Sequence, residues 1–394
     1  MIRTASVQTY IIDDIELACR ELQEQLNEKL SLLSNSVGIV QCDPEFIESG
    51  IMESLHSRLR FPLVGGTTVS IATNDEIDNY MFSMLVLTSD DVEFAVSHTT
   101  GLVDDYAGAI ERSMKASLND SEKPLKMALV FPTVTDNEDL PGDIYVEIVE
   151  SLCGDVPVFG TLSVNDAVEK FERSMSVCNG KAFKSELTYV LIFGNVSPRF
   201  FVAAVPPQSN VIDTVPMITR SEGHIVKEIN DMLAVKYFEN IGFAINGKLA
   251  SGINFVPLLV TMQDSGGVNR TFVRAVIGFD SNGFAVCRGK IPEGAQIAFA
   301  SLQAADILAA TSEIVTQINQ EQDVAAALFF SCIIRQLSIG SDPLKELTII
   351  KDSLRADIPF VASYSGGEIS PIICNIQSSY KNSFHNYSLI ACLL

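Results

Sequence analysis

The residues best suited to chemistry cluster late in the chain. Cys332 closes an apolar run and Arg335 follows three residues on. Tyr364, Ser365, Gly366, Gly367 and Glu368 stand together in ASYSGGEISP, and His385 and Asn386 open the final apolar run. If the strands that carry them are neighbours, Cys332, Arg335, Glu368, His385 and Asn386 converge at one end of a sheet, where α/β folds usually hold ligands. An arginine there grips a carboxylate with paired bonds, and a glutamate grips an amine. A small polar, amino-acid-like ligand satisfies both. Gly65 and Gly66 form a second glycine pair after a strand, where bare backbone allows a ligand close approach or simply marks a turn or bulge.

The same residues admit other uses. Cys332 and His385 can be read as a thiol nucleophile and its base, with Asn386 or Glu368 orienting the imidazole. Neighbours on a strand point to opposite faces, so His385 and Asn386 do not easily share that task. Cys42 ends the corresponding earlier run with no matching histidine after it, and a core cysteine is the plainer reading of both. Four isolated histidines and scattered cysteines match no zinc spacing, and no calcium loop is present. A haem iron needs only one axial ligand; His385 is the first candidate, followed by His98, His56 and His224. Glu368 with Arg335 also reads as an internal ion pair. No glycine-rich nucleotide motif, Walker loop, metalloprotease helix or nucleophile elbow occurs, so a non-enzymatic role is expected.

Three similar stretches must position these groups. Phe61-Pro62, Val156-Pro157 and Ile358-Pro359 each lead into an apolar strand with small residues. Upstream of each lies another apolar run, at 36–42, 126–134 and 325–332, and a helix-like segment separates run from proline. Asp43-Pro44 and Asp342-Pro343 are helix-opening signals, an acidic cap followed by proline in the first turn; Pro141-Gly-Asp143 starts the middle one. A further amphipathic helix precedes each unit, within 12–33, 103–118 and 304–318, with apolar residues three or four apart. Apolar strands at 81–89, 186–194 and 387–394 follow.

The expected fold is therefore α/β, with mixed sheets covered by helices and built from three copies of a helix-strand-helix-strand-strand unit in two domains. Residues 1–204 are expected to form the first domain from two units, about 12–95 and 103–204. Residues 205–222, rich in Pro, Ser and Asn, are the junction. The second domain, 223–394, joins a non-repeated strand and helix part, 223–300, to the third unit, 304–394, and the two are expected to pair. Its turn lies at Asp280-Ser-Asn-Gly283.

Composition bounds the function. The chain has 394 residues, a formal charge of −22, no tryptophan and 47% hydrophobic residues. Such acidity disfavours nucleic acid and anionic membrane surfaces, which call for clustered Lys and Arg. The acidic stretch 71–120 reads as a solvated face. Apolar runs are too short to cross a bilayer, and the first residues lack the pattern of a secretory signal. Eight dispersed cysteines without a Cys-x-x-Cys read as reduced thiols. A cytoplasmic location is expected.

Several segments together resemble the FIST module, the F-box and intracellular signal transduction family. PLVGGTTVS (62–70) and PVFGTLSVN (157–165) resemble its N-terminal half. IVKEINDMLAVKYFENIG (225–242), RAVIGFDSNGFAVCRGKIPEGAQIAFA (274–300), FFSCIIRQLSIG (329–340), IPFVASYSGGEISPI (358–372) and FHNYSLIACLL (384–394) resemble its C-terminal half. The resemblance implies a cytoplasmic sensory module of bacteria or archaea that binds a small ligand such as an amino acid. It implies a separate signalling partner such as a histidine kinase, a chemoreceptor or a nucleotide cyclase. It also implies an alternative, a haem-bound nitric oxide sensor acting on a partner kinase. By motif, the family's polar positions fall on Cys332, Arg335, Gly367, Glu368, His385 and Asn386, while Tyr364-Ser365-Gly366 departs from the aromatic-threonine-glycine segment of many members.

Overall fold

A computed structural model describes residues 2–134, 142–165, 172–205, 215–252, 254–263, 269–374 and 379–394. The chain is a mixed α/β protein in which three six-stranded sheets share one strand order. Sheet I runs Arg3–Thr9, Phe82–Ser89, Asn35–Cys42, Leu63–Thr67, Ser176–Cys178 and Lys181–Phe183. Sheet II runs Val92–His98, Thr188–Gly194, Leu125–Phe131, Val158–Thr161, Glu368–Cys374 and Ser379–His385. Sheet III runs Arg199–Ala204, Ser388–Leu393, Ala327–Cys332, Phe360–Ser365, Ile71–Thr73 and Ile77–Asp78. In each, the third and fourth strands are parallel.

The last two strands of every sheet are a hairpin lent by another part of the chain. Residues 71–78 complete sheet III, 176–183 complete sheet I, and 368–385 complete sheet II. The crossings repeat one hydrogen bond: Thr67 N to Met175 O at 2.8 Å, Leu162 N to Gly367 O at 2.9 Å, and Tyr364 N to Ser70 O at 3.3 Å. The five-element unit read from sequence omits both this loan and the first edge strand. The third unit was expected to pair with 223–300. Its strands pair instead with 71–73, 158–161 and 199–204.

Packing explains why the central strands are apolar on both faces. Val37, Ile39, Leu129, Phe131, Leu328 and Phe330, from all three sheets, share one buried core. The opposite faces pack on helices: Ile15–Lys29 and Ile51–Arg58 on sheet I, Tyr106–Ser117 and Gly142–Cys153 on sheet II, Ala304–Ile318 and Lys345–Ser353 on sheet III. A strand buried on both sides reads as a continuous apolar run. Asp14, Asp43 and Asp105 cap helices by accepting backbone N–H bonds, and Pro44 occupies a first-turn position. Asp342-Pro343 does not act this way: its helix begins at Lys345, without a side-chain cap.

Residues 205–303 lie between the edge strand of sheet III and the helix 304–318, where the other two units have only a short link. They build a fourth, antiparallel sheet in the order Ile218–Glu222, Ile225–Ile229, Ala285–Cys287, Asn269–Phe279, Val256–Gln263 and Gln296–Phe299, with helix Ala234–Asn240 beside it. Of the expected junction, 206–214 lies outside the described residues and 218–222 is a strand. The turn at Asp280 is as expected, its carboxylate accepting from Asn282 N and Phe284 N. Among the described residues, no helix is long and apolar enough to cross a membrane.

Candidate functional site

The predicted polar residues divide into two sealed groups and a link between two strands. In the first, Arg335 and Glu346 are fully buried. Arg335 donates to Glu346 Oε1 from Nε at 3.0 Å and from Nη2 at 2.6 Å. Thr311 donates to the same oxygen at 2.7 Å, and Ser331 to Oε2 at 2.7 Å. Arg335 Nη1 is buried without a partner. Tyr364 lies beside the pair and donates its hydroxyl to Pro343 O at 3.1 Å; burial and the neighbouring Glu346 push its pKa well up. Arg335 is thus spoken for by Glu346 and makes no pair with Glu368, which corrects the expected ion pair. Glu346 escaped notice because it sits in the helical string KELTII like any surface acid.

The second group surrounds Glu368. Ser365 donates to its Oε1 at 2.7 Å and Ser388 to its Oε2 at 3.0 Å. The Cys332 thiol lies beside the same carboxyl. Burial raises the Glu368 pKa to about 8 despite these bonds, so the group is largely protonated at neutral pH. Burial and Glu368 together push the Cys332 thiol well above its ordinary value, the reverse of what a nucleophile needs. Cys332 and Glu368 therefore do come together, with Ser365, but inside the protein. Val205, Leu259, Val273, Ile307 and Tyr387 form a buried apolar cluster, contributed largely by the 205–303 insertion.

The remaining residues form the link 384–388. His385 lies opposite Glu368 in the hairpin register, yet its Nε2 meets Ser370 O at 3.1 Å and burial lowers its pKa to about 4. Asn386 donates to His385 O at 3.0 Å and accepts from Ala275 N at 3.4 Å. Tyr387 follows with φ +58°, unusual for a bulky residue, and donates to Ser301 O at 2.9 Å. No hydrogen bond among the described residues joins His385 to Cys332. A haem needs an open face at its axial nitrogen. His385 is 3% exposed with that nitrogen engaged, so the residues here do not fit one. His98 is stacked on Phe183 at 4.3 Å.

The glycines touch protein. A side chain at Gly65 would come within 1.9 Å of Val40 O, and one at Gly66 within 1.9 Å of Ser163 Oγ. Gly366 is filled against Val134 and Gly367 against the Phe384 ring. The close approach read from both pairs is real, but it is the chain's own.

An open site lies next to this link. A half-open groove of about 590 Å³ is walled by helix 142–153, the fourth sheet and hairpin 368–385. Val146, Met262, Phe272, Ile291 and Phe384 supply apolar surface, and Glu147, Glu150, Glu293, Lys290 and Lys381 supply charge. Arg274 ties the three walls together: it donates to Asp143 at 2.8 Å, to Lys290 O at 3.0 Å and to Phe384 O at 2.9 Å. Its guanidinium lies over Phe272 at 4.5 Å. Lys290 pairs with Glu147 at 2.6 Å. None of these was singled out from sequence. The available signal was Arg274 itself, a charge inside the apolar part of its strand, two residues after Phe272. A groove of this volume that combines apolar surface with placed polar groups is a common form of small-molecule site.

The chain matches the FIST N domain over residues 36–232 and the FIST C domain over 234–371. No curated protein matches it. The boundary between the two matches falls inside the 205–303 insertion, so the domains share the fourth sheet as well as the lent hairpins. FIST domains are associated with sensing in signal transduction. With both halves matched in order across most of its length, the chain belongs to the FIST family.

Proposed function

We propose that the chain is a non-enzymatic sensory module that binds a small ligand in the groove beside Arg274. Occupancy is passed to a separate signalling protein, of the histidine kinase, chemoreceptor or nucleotide cyclase kind. The observation that carries this reading is the make-up of the groove: its walls come from three separate stretches, held together by the contacts of Arg274 with Asp143, Lys290 and Phe384. A ligand that touches all three favours one arrangement of them over others, and differential affinity is what a sensor requires. The thiol enzyme has little support, because Cys332 is buried, raised in pKa and without an imidazole partner.

Thermal-shift and calorimetric screening of amino acids and related small polar compounds tests the proposal, with Met262→Trp as the groove-filling variant. Saturable binding lost in Met262→Trp is expected. Binding that persists unchanged in that variant would place the ligand elsewhere.

A further inference from the structure

We infer that the groove prefers an organic cation: a primary amine on an apolar body, with no carboxylate of its own. This rests on the reading of the groove as the ligand site and narrows what it takes.

The charges already spent decide the matter. Arg274, 5% exposed, is neutralised by Asp143, and its Nε, Nη1 and Nη2 all donate within the protein. Lys290 is held by both oxygens of Glu147, at 2.7 and 2.6 Å. Neither cation has a charge to spare for a ligand carboxylate. What remains is Glu150, which accepts one bond from Asn382 at 3.3 Å, and Glu293, which accepts one from Ser221 N at 3.0 Å. A carboxylate can accept several more bonds than that. Against them stands Lys381, which makes no polar contact among the described residues. The unsatisfied balance of the groove is therefore negative, and the chain's −22 reinforces it. An ammonium finds an unsatisfied acceptor at either glutamate, while a carboxylate on the same ligand meets one exposed lysine against two acids. Phe272 and Phe384 give the ligand's apolar body aromatic surface.

The test uses three compounds that share one body and differ in charge: phenylalaninamide, phenylalanine and N-acetylphenylalanine. Titration calorimetry on the full chain at low salt should rank them in that order, with the amide about ten-fold tighter than the zwitterion, the effect of a bond or two to a charged group. Glu150→Gln and Glu293→Gln should each weaken the amide several-fold, Lys381→Ala should not, and added salt should shrink the differences. Equal or tighter binding of phenylalanine, lost in Met262→Trp, overturns the charge preference but leaves the groove as the site. Amide binding that survives Met262→Trp and both glutamine variants overturns the groove reading itself. No binding of the amide at millimolar concentration overturns the cation assignment.

Discussion

Glu346→Leu should damage the fold far more than Arg335→Met, although the two residues are partners in one ion pair. Both are fully buried, and Glu346 collects four bonds, two from Arg335 and one each from Thr311 and Ser331. Removing the carboxylate strands a guanidinium that cannot give up its proton, already short of a partner at Nη1. Breaking a buried pair in this way costs about 3–5 kcal/mol. Removing Arg335 leaves the carboxyl its Thr311 and Ser331 bonds, at roughly 1–3 kcal/mol. Arg335→Met/Glu346→Leu should recover much of the Glu346→Leu loss, because no uncompensated charge remains. Urea unfolding of the four proteins measures every term, and the double-mutant cycle gives the coupling. A loss under about 1 kcal/mol for Glu346→Leu, or an Arg335→Met cost as large as that of Glu346→Leu, would refute the sealed pair.

Glu368, raised to about 8 in the fold, contributes stability that is complete below its unfolded value near 4.3 and is lost as pH rises through about 8. Glu368→Gln should flatten that slope in urea midpoints, and an unchanged slope counts against a neutral Glu368. Native Cys332 should react with iodoacetamide no faster than the protein opens, and rapid labelling of the folded chain would contradict its burial. Residues 1–204 made alone lose the partners of strands 71–73 and 158–161 and expose sheet edges. They should show no cooperative unfolding until 205–394 is supplied, and a cooperative transition for 1–204 alone would refute the exchange of hairpins.

Much of the fold was legible because buried strands and amphipathic helices print periodic patterns. The helix 304–318 appears within its predicted bounds, and the apolar runs ending at Cys42 and Cys332 are strands. Which sheet a hairpin joins is not written in its own residues: Ile71–Thr73 is apolar whether it pairs with its own unit or with Phe360–Ser365. The same gap misplaced the partner of the third unit and hid that Arg199–Ala204 belongs with Ser388–Leu393. At the site, polarity within apolar strings singled out Cys332, Arg335 and Glu368, which the structure buries in two separate groups. It could not tell an interior network from an open pocket, because that depends on what covers it. Val205, Leu259 and Val273, from a part of the chain read as separate, share a buried apolar cluster with Ile307 and Tyr387. Arg274 and Asp143 stand far apart in sequence, so their pairing at 2.8 Å carried no local signal.

The central claim is that the groove between helix 142–153, the fourth sheet and hairpin 368–385 holds the ligand. Native mass spectrometry of gently purified protein tests it most directly, comparing wild type with Met262→Trp and with Cys332→Ala. The account predicts a bound small molecule in wild type and Cys332→Ala that is absent from Met262→Trp. A ligand retained by Met262→Trp and lost from Cys332→Ala would contradict it, moving the site to the sealed interior.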